Sequence, residues 1–284
     1  MSSYTCKNCL SAFEVWTYTC PRCGAVSSMG LPEQSVSHGT VEKSLIGKLK
    51  DIKHRPVQRI PTYLLDDYLN GGLAKHSVNL VHGPKGSYKT TLWLQILSEM
   101  SMNGLRVLLI EAEEEIEDLI SRQSEIIPHN LSEILYVRSN KYEVIWQQIL
   151  RHGHIDLIVG DSINAITSIR PDKNKLNRTM NILEMFYRDS HKYGYTTALI
   201  AHENKQGKLA GFEDMAHLVE AVFRVTSVID LKQNQKMVKI ESEKNRYSPF
   251  IFQKLIWTKD NGLHPFDEDV EEIMPNRRKH ADHS

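Results

Sequence analysis

The stretch "HGPKGSYKTT", residues 82–91, carries most of a phosphate-binding loop. That pattern wants a glycine, four further residues, then Gly-Lys-Ser/Thr. Gly83, Lys89 and Thr90 fall in register, and Tyr88 stands where the second glycine belongs. The β-branched run "SVNLVH" (77–82) precedes it, and an apolar-periodic stretch from Thr90 to Met102 follows. A loop between strand and helix aims backbone N–H groups and the helix N-terminus at an anion. Gly83, Pro84, Lys85, Gly86, Ser87, Tyr88, Lys89, Thr90 and Thr91 are the candidate cradle for ATP. Lys89 would meet the β and γ phosphates, and Thr90 would ligate Mg2+. If position 88 needs positive φ, a tyrosine there costs about 1–2 kcal/mol that glycine would not. Its ring is expected to point away from the phosphates, towards the adenine side or a subunit interface.

Phosphate chemistry also needs carboxylates. "IDLIVGDS" (155–162) is an apolar run ending in Asp161, the second candidate magnesium ligand. "LLIEAEEE" places Glu111, Glu113 and Glu114 at the end of another apolar run. A group there could orient or deprotonate an attacking water, and Glu113 is the candidate. Glu115 and Glu117 read as acids that favour a helix start.

The four cysteines, Cys6, Cys9, Cys20 and Cys23, form two CxxC knuckles, "CKNC" and "CPRC". Two such turns aim four thiolates at one point, the pattern of a closed, structural zinc site. A redox CxxC belongs at a helix start inside a thioredoxin-like unit, and nothing of that kind surrounds these. A secreted disulfide framework would spread further along the chain.

These residues need a scaffold. The chain has 284 residues and 40% hydrophobic content, enough for one large domain and a small appendage. Lys+Arg and Asp+Glu are equal at 35 each, so an anionic partner would have to be met by local basic patches. No apolar run approaches a membrane span, and the N-terminus does not read as a secretory signal; a cytoplasmic protein is expected. Residues 1–28 form the cysteine module and 29–56 a linker that turns basic. Residues 57–265 form the core and 266–284 a flexible tail. Within the core, "SVNLVH", "RVLLIEA" (106–112), "IDLIVGDS" and "TTALIAH" (196–202) read as buried strands. Helices are expected near 90–102, 115–126, 142–152 and 176–193. That alternation predicts an α/β fold with a mostly parallel sheet. "AVFRVTSVIDL", "KMVKIESEK" and "FIFQKLIWT" read as an antiparallel, β-rich C-terminal edge.

In order along the chain, the knuckles, "RIPTYLLDDYLNGGL" (59–73), "GPKGSYKTT", "IDLIVGDSI", "IAHENKQGKLAG" (200–211) and "EKNRY" (243–247) resemble bacterial RadA, also called Sms. The resemblance covers about residues 4–263. That family is a RecA-fold, DnaB-like ATPase of recombination and repair. The resemblance implies a RecA-like core behind a C4 zinc-ribbon-like module. It implies that His202 senses the γ-phosphate, and that Lys244 and Arg246 reach a neighbouring subunit's ATP within a ring, expected to be hexameric. Ser248 departs from the glycine usual after the Lys-Asn-Arg signature. The family's C-terminal domain, which resembles the Lon protease, has no counterpart here, so the resemblance is to a short form.

Motors of this fold grip single strands with loops facing a central channel. Arg170, Lys173, Lys175 and Arg178 in "SIRPDKNKLNR" (168–178) are candidates, as are Lys205 and Lys208 in "ENKQGKLAG". Such contacts bind phosphates without reading sequence. Gly207 and Gly211 are expected to act as hinges. The expected activity is an ATP-dependent motor on single-stranded or branched DNA, working as a homo-oligomer, with a recombinase as candidate partner. The competing expectation is an ATP- and DNA-binding adaptor or loader with little turnover.

Overall fold

In the computed structural model, the described residues are 4–13, 17, 19–25, 29–30, 56–127, 130–169, 175–204, 207, 209, 211–230, 235–249, 252–258 and 262–266. Arg170, Lys173, Lys205 and Lys208 fall outside them, as do nearly all of the expected linker and tail.

The cysteine module's sheet contains β1 (Tyr4–Cys6), β2 (Ala12–Phe13) and β3 (Met29–Gly30), in the order β2-β1-β3, and β3 lies in the first two residues of the stretch expected to be linker. A short hairpin, β4 (Arg59–Ile60) with β5 (Leu73–Ala74), then leads into the core. The core elements follow in chain order: β6 (Val78–Gly83), α1 (Lys89–Met102), β7 (Val107–Glu111), α2 (Ile116–Ser124) and β8 (Leu135–Arg138). Next come α3 (Tyr142–His152), β9 (Leu157–Asp161), α4 (Lys175–Tyr193), β10 (Thr196–His202) and α5 (Phe212–Leu218). The chain closes with β11 (Ala221–Asp230), β12 (Gln235–Asn245), β13 (Phe252–Thr258) and β14 (Gly262–Pro265).

Nine of these strands make one sheet, ordered β14-β13-β12-β11-β6-β10-β9-β7-β8. From β11 through β8 every pairing is parallel, and β12 to β14 run antiparallel. The central strands are apolar throughout because both faces are covered. Successive residues alternate between two cores. Val107, Leu109, Val159 and Ile200 pack with α1 and α2, while Leu108, Ile110, Ile158 and Leu199 pack with α3 and α4. The order in which strands are added to the sheet reverses after β8, so the helices before and after it lie on opposite faces, as right-handed crossovers require. The carboxyl ends of β6, β7, β9 and β10 therefore share one edge, where ligands gather in open α/β sheets.

The expected parallel core and antiparallel edge are both present, with two differences. β11 is parallel to β6 while antiparallel to β12, so it joins the two halves of the sheet. β8 was not foreseen: it is a four-residue edge strand, and Tyr136 and Arg138 on it point to solvent. Helix α4 begins at Lys175, so Lys175 and Arg178 lie on its first turn and not in a free loop.

Candidate active site

The loop after β6 closes on a tight approach. At Gly83, with φ 153°, an added Cβ would sit 1.9 Å from the Val225 carbonyl oxygen, so only glycine fits. Tyr88 has φ 68° and ψ 21°, the left-handed conformation its position was suspected to need. Its side chain is half-buried and packs against the large apolar cluster to which α1 and the C-terminal strands contribute. Helix α1 has no capping side chain and no acid in its first turn. Its first N–H groups and the positive end of its dipole are thus left for an anion.

The Lys89 ammonium is buried and donates to the Gly83 and Pro84 carbonyls at 2.8 and 2.7 Å. Burial lowers its pKa, against the pull of Asp161. Thr90 Oγ1 donates to Asp161 Oδ2 at 2.5 Å. Thr91 turns its hydroxyl to Gln123 Oε1 at 2.9 Å, leaving only its backbone facing the loop. Register does the assembling across the sheet: Gly83 lies opposite His202, and Glu111 opposite Asp161.

The four acids at and after the end of β7 have separate tasks. Glu111 is buried, and its Oε1 accepts from the amides of Glu113 and Glu114 at 2.7 and 3.0 Å, fixing the turn. Burial pushes its pKa up to about 7. Glu114 forms a two-pronged pair with Arg122. Glu115 precedes α2 and pairs with Arg138. Glu113 alone turns towards Asp161's strand. Its Oε1 accepts from Ser162 Oγ and lies 3.3 Å from His202 Nε2. The His202 bond, then Ser162, outweigh burial and hold its pKa down to about 2. His202 is placed by its amide, which donates to Asn164 Oδ1 at 2.9 Å. Its buried Nδ1 has no partner among the described residues. Ser162 and Asn164 were not foreseen as site residues, and Glu111, offered beside Glu113 and Glu114, was not foreseen as the acid that closes the turn; only Ser162's position directly after Asp161 hinted at it.

Lys244 and Arg246 lie apart from this group. The Lys244 ammonium donates to the Ala216, His217 and Val219 carbonyls, and Arg246 Nη2 to the His217 carbonyl at 3.1 Å, so both hold the C-terminus of α5 in their own chain. Ser248, where the glycine was expected, donates to the Leu69 carbonyl and accepts from Arg59. The root of the 168–178 segment is fixed by buried Glu143, which accepts from Ser168 Oγ at 2.5 Å and the Ile169 amide at 3.0 Å. Gly207 and Gly211 both have positive φ.

In the cysteine module the two knuckles repeat one geometry. Leu10 N–H donates to the Cys6 carbonyl and Gly24 N–H to that of Cys20; Cys6 N–H donates to Ser11 and Cys20 N–H to Ala25. Leu10 and Gly24 both have positive φ. The Cys6 and Cys23 sulfurs lie 3.7 Å apart, as do those of Cys9 and Cys20, and all four lie within 4.8 Å of one another. A disulfide would need about 2.05 Å. Tetrahedral Zn–S bonds of about 2.3 Å set an edge of about 3.8 Å. The donor set and its spacing fit zinc.

Sheet, loop and acids together define a P-loop NTPase fold with a mostly parallel sheet and a four-cysteine cluster at its N-terminal side. The family model described as an AAA domain matches residues 48–208, and the chain belongs to that family. The match starts inside the stretch read as linker. The chain is also homologous to "DNA repair protein RadA" over most of its length. It is 28% identical to that of Aquifex aeolicus (strain VF5) over 230 residues, 78% of this chain and 51% of the relative. With that of Rickettsia typhi it shares 26% over 251 residues, 86% of this chain and 55% of the relative. With that of Helicobacter pylori (strain J99) it shares 24% over 276 residues, 92% and 60%. The chain thus spans about half the length of the curated relatives it matches. Among solved structures, a KaiC-like protein from Pyrococcus horikoshii OT3 shares the fold at TM-score 0.61 and 18% identity, covering 75% of this chain and 100% of that one. Among the described residues, no helix is long and apolar enough to cross a membrane.

Proposed function

We propose that the chain is an ATP-dependent, single-stranded-DNA-stimulated motor of the RadA type, acting in homologous recombination and repair by branch migration or unwinding. The observation that carries this reading is the meeting of Lys89, the Thr90–Asp161 pair and the Glu113–His202 pair at one sheet edge. On ATP entry Lys89 exchanges the Gly83 and Pro84 carbonyls for the β and γ phosphates. Thr90 and Asp161 would hold Mg2+, which would neutralise charge developing on the phosphates. Glu113 stays ionised and orients the attacking water. His202 reads the γ-phosphate.

In a ring, Lys244 and Arg246 would leave α5 for the neighbour's phosphates, while Arg170, Lys173, Lys175, Arg178, Lys205 and Lys208 meet the DNA backbone. Residues 1–28 would form a zinc module, 29–56 its linker and 57–265 the motor core. The test is ATP turnover with and without single-stranded DNA, on wild type and Lys89→Ala. Absence of turnover in the wild type, indistinguishable from Lys89→Ala, would sink the reading.

One observation favours a second reading, an ATP- and DNA-binding adaptor or loader. Lys244 is already fully engaged by carbonyls of its own chain. Tight nucleotide binding without turnover would support the adaptor.

A further inference from the structure

An ionic cluster built on buried His82 and Glu203 lies one residue away from the phosphate loop, from His202 and from Lys244. His82 precedes Gly83, Glu203 follows His202, and Glu243 precedes Lys244. His82 is 4% exposed. Its Nδ1 lies 3.1 Å from Glu203 Oε1 and its Nε2 2.8 Å from Glu243 Oε2. With both carboxylates ionised, both bonds exist together only if each ring nitrogen carries a hydrogen. Arg224, opposite His82 on β11, also donates to Glu203 Oε1 at 3.1 Å. Arg224 Nη1 also lies 3.9 Å from Glu241 Oε1, which Lys239 pairs at 2.6 Å, so the cluster continues along β12. Phe212, at the start of α5, lies against the imidazole at 5.5 Å between ring centres.

The connection runs further at both ends. Glu203 Oε2 is buried and has no partner among the described residues. It faces Gly207, where an added Cβ would come within 3.9 Å of it. Gly207 belongs to the segment expected to meet DNA. At the other end, Lys244 and Arg246 hold the far end of α5.

We propose that His82 is a positioning residue that couples the nucleotide loop and the end of β10 to the Lys244–Arg246 segment, through the Glu203–His82–Glu243 bridge. A γ-phosphate that moves His202 displaces Glu203, the next residue. Two charge-assisted bonds pass that displacement to Glu243 and so to Lys244. The proposal rests on the nucleotide-site reading above, and extends it from one loop to three.

The test is hydrogen exchange with and without a non-hydrolysable ATP analogue, on wild type, His82→Gln and Glu243→Ala. The amides of Arg246, Tyr247 and Ser248 are hydrogen-bonded to Glu220 O and Asn245 Oδ1, so their exchange reports opening of that segment. In wild type the analogue should slow exchange both at 83–92 and at 243–248. In His82→Gln the first response should persist and the second should fall about fivefold or more, the lower end of ordinary coupling. Glu243 is 31% exposed at its side chain, so Glu243→Ala cuts the outer bond without emptying the core and should do the same. A wild-type response confined to 83–92, or variants that keep the response at 243–248, would overturn the proposal. So would variants that lose both responses together, which would mark His82 as merely structural. ATP turnover without DNA stimulation in wild type would instead defeat the motor reading, and the exchange result would stand apart from it.

Discussion

Replacing Tyr88 separates two opposed effects at one residue. Its left-handed conformation, φ 68° and ψ 21°, costs an L-residue about 1–2 kcal/mol. Its half-buried ring packs on the core of α1. An aromatic side chain buries 150–250 Å² when covered, so roughly 100 Å² is at stake here, about 2.5 kcal/mol at ~25 cal/mol/Å². Tyr88→Ala loses that packing and keeps the strain. Tyr88→Gly loses the packing and a further 0.5–1 kcal/mol or so of chain entropy, but recovers about 1–2 kcal/mol of strain. The glycine variant should therefore be less stable than wild type, yet more stable than the alanine variant by about 0.5–1 kcal/mol. For a domain of this size that gap is roughly 1–4 °C in melting temperature. Thermal and urea unfolding of the three proteins measure it. An alanine variant at or above the glycine variant would refute the strain argument. Turnover should be the same in wild type and Tyr88→Gly, because the loop's N–H groups keep their directions. A glycine variant that hydrolyses ATP when the wild type does not would show that the ring obstructs the phosphates after all.

Glu113→Gln should keep ATP affinity and lower kcat by about 10²–10⁴-fold, read by nucleotide titration beside steady-state turnover; an unchanged kcat removes Glu113 from the chemistry. Cys20→Ser or chelation should release about one zinc per chain and unfold the knuckles, whose folding such a metal supplies, and leave the melting transition of the core in place. Glu111 carries the pH dependence. Its folded pKa of about 7 lies above the ordinary 4.5, so the folded state holds the proton more tightly. Its stabilising contribution is complete below pH ~4.5 and is lost as pH rises through ~7, by up to about 3 kcal/mol. Glu111→Gln should flatten that slope in urea midpoints measured between pH 5 and pH 8; an unchanged slope assigns it to other groups.

How much of this was legible followed from range. Lys89, Thr90 and the capless start of α1 lie within a few residues, so spacing alone brought them together. The buried strands were legible because coverage on both faces leaves an unbroken apolar run, as in "VLLIE" and "LIVGD". β8 escaped because an edge strand half open to water has no such run. The parallel pairing of β11 escaped because a strand's residues do not state its partner's direction. Glu111's task depends on the turn it closes and on register with Asp161. The His82 bridge joins positions 121 and 161 residues apart, and neither glutamate belongs to a motif that spacing could flag.

Lys244 shows where motif and geometry part. "EKNRY" marks a segment worth attention, but the sequence does not say what its cations touch before a neighbour arrives. Here they close α5, whose last carbonyls otherwise lack partners. Each hydrogen bond to a charged group contributes about 1.5–3 kcal/mol, so a transfer of Lys244 to a neighbour's phosphate must offset several such bonds. A phosphate with two negative charges in a closed interface can do so; water cannot. On the proposed role of Lys244, these carbonyls would be a holding position that the neighbour's phosphate has to empty. Lys244→Ala should then loosen α5 in the isolated chain and, if the proposed transfer occurs, abolish any gain in turnover that assembly brings, with turnover measured against protein concentration as the check.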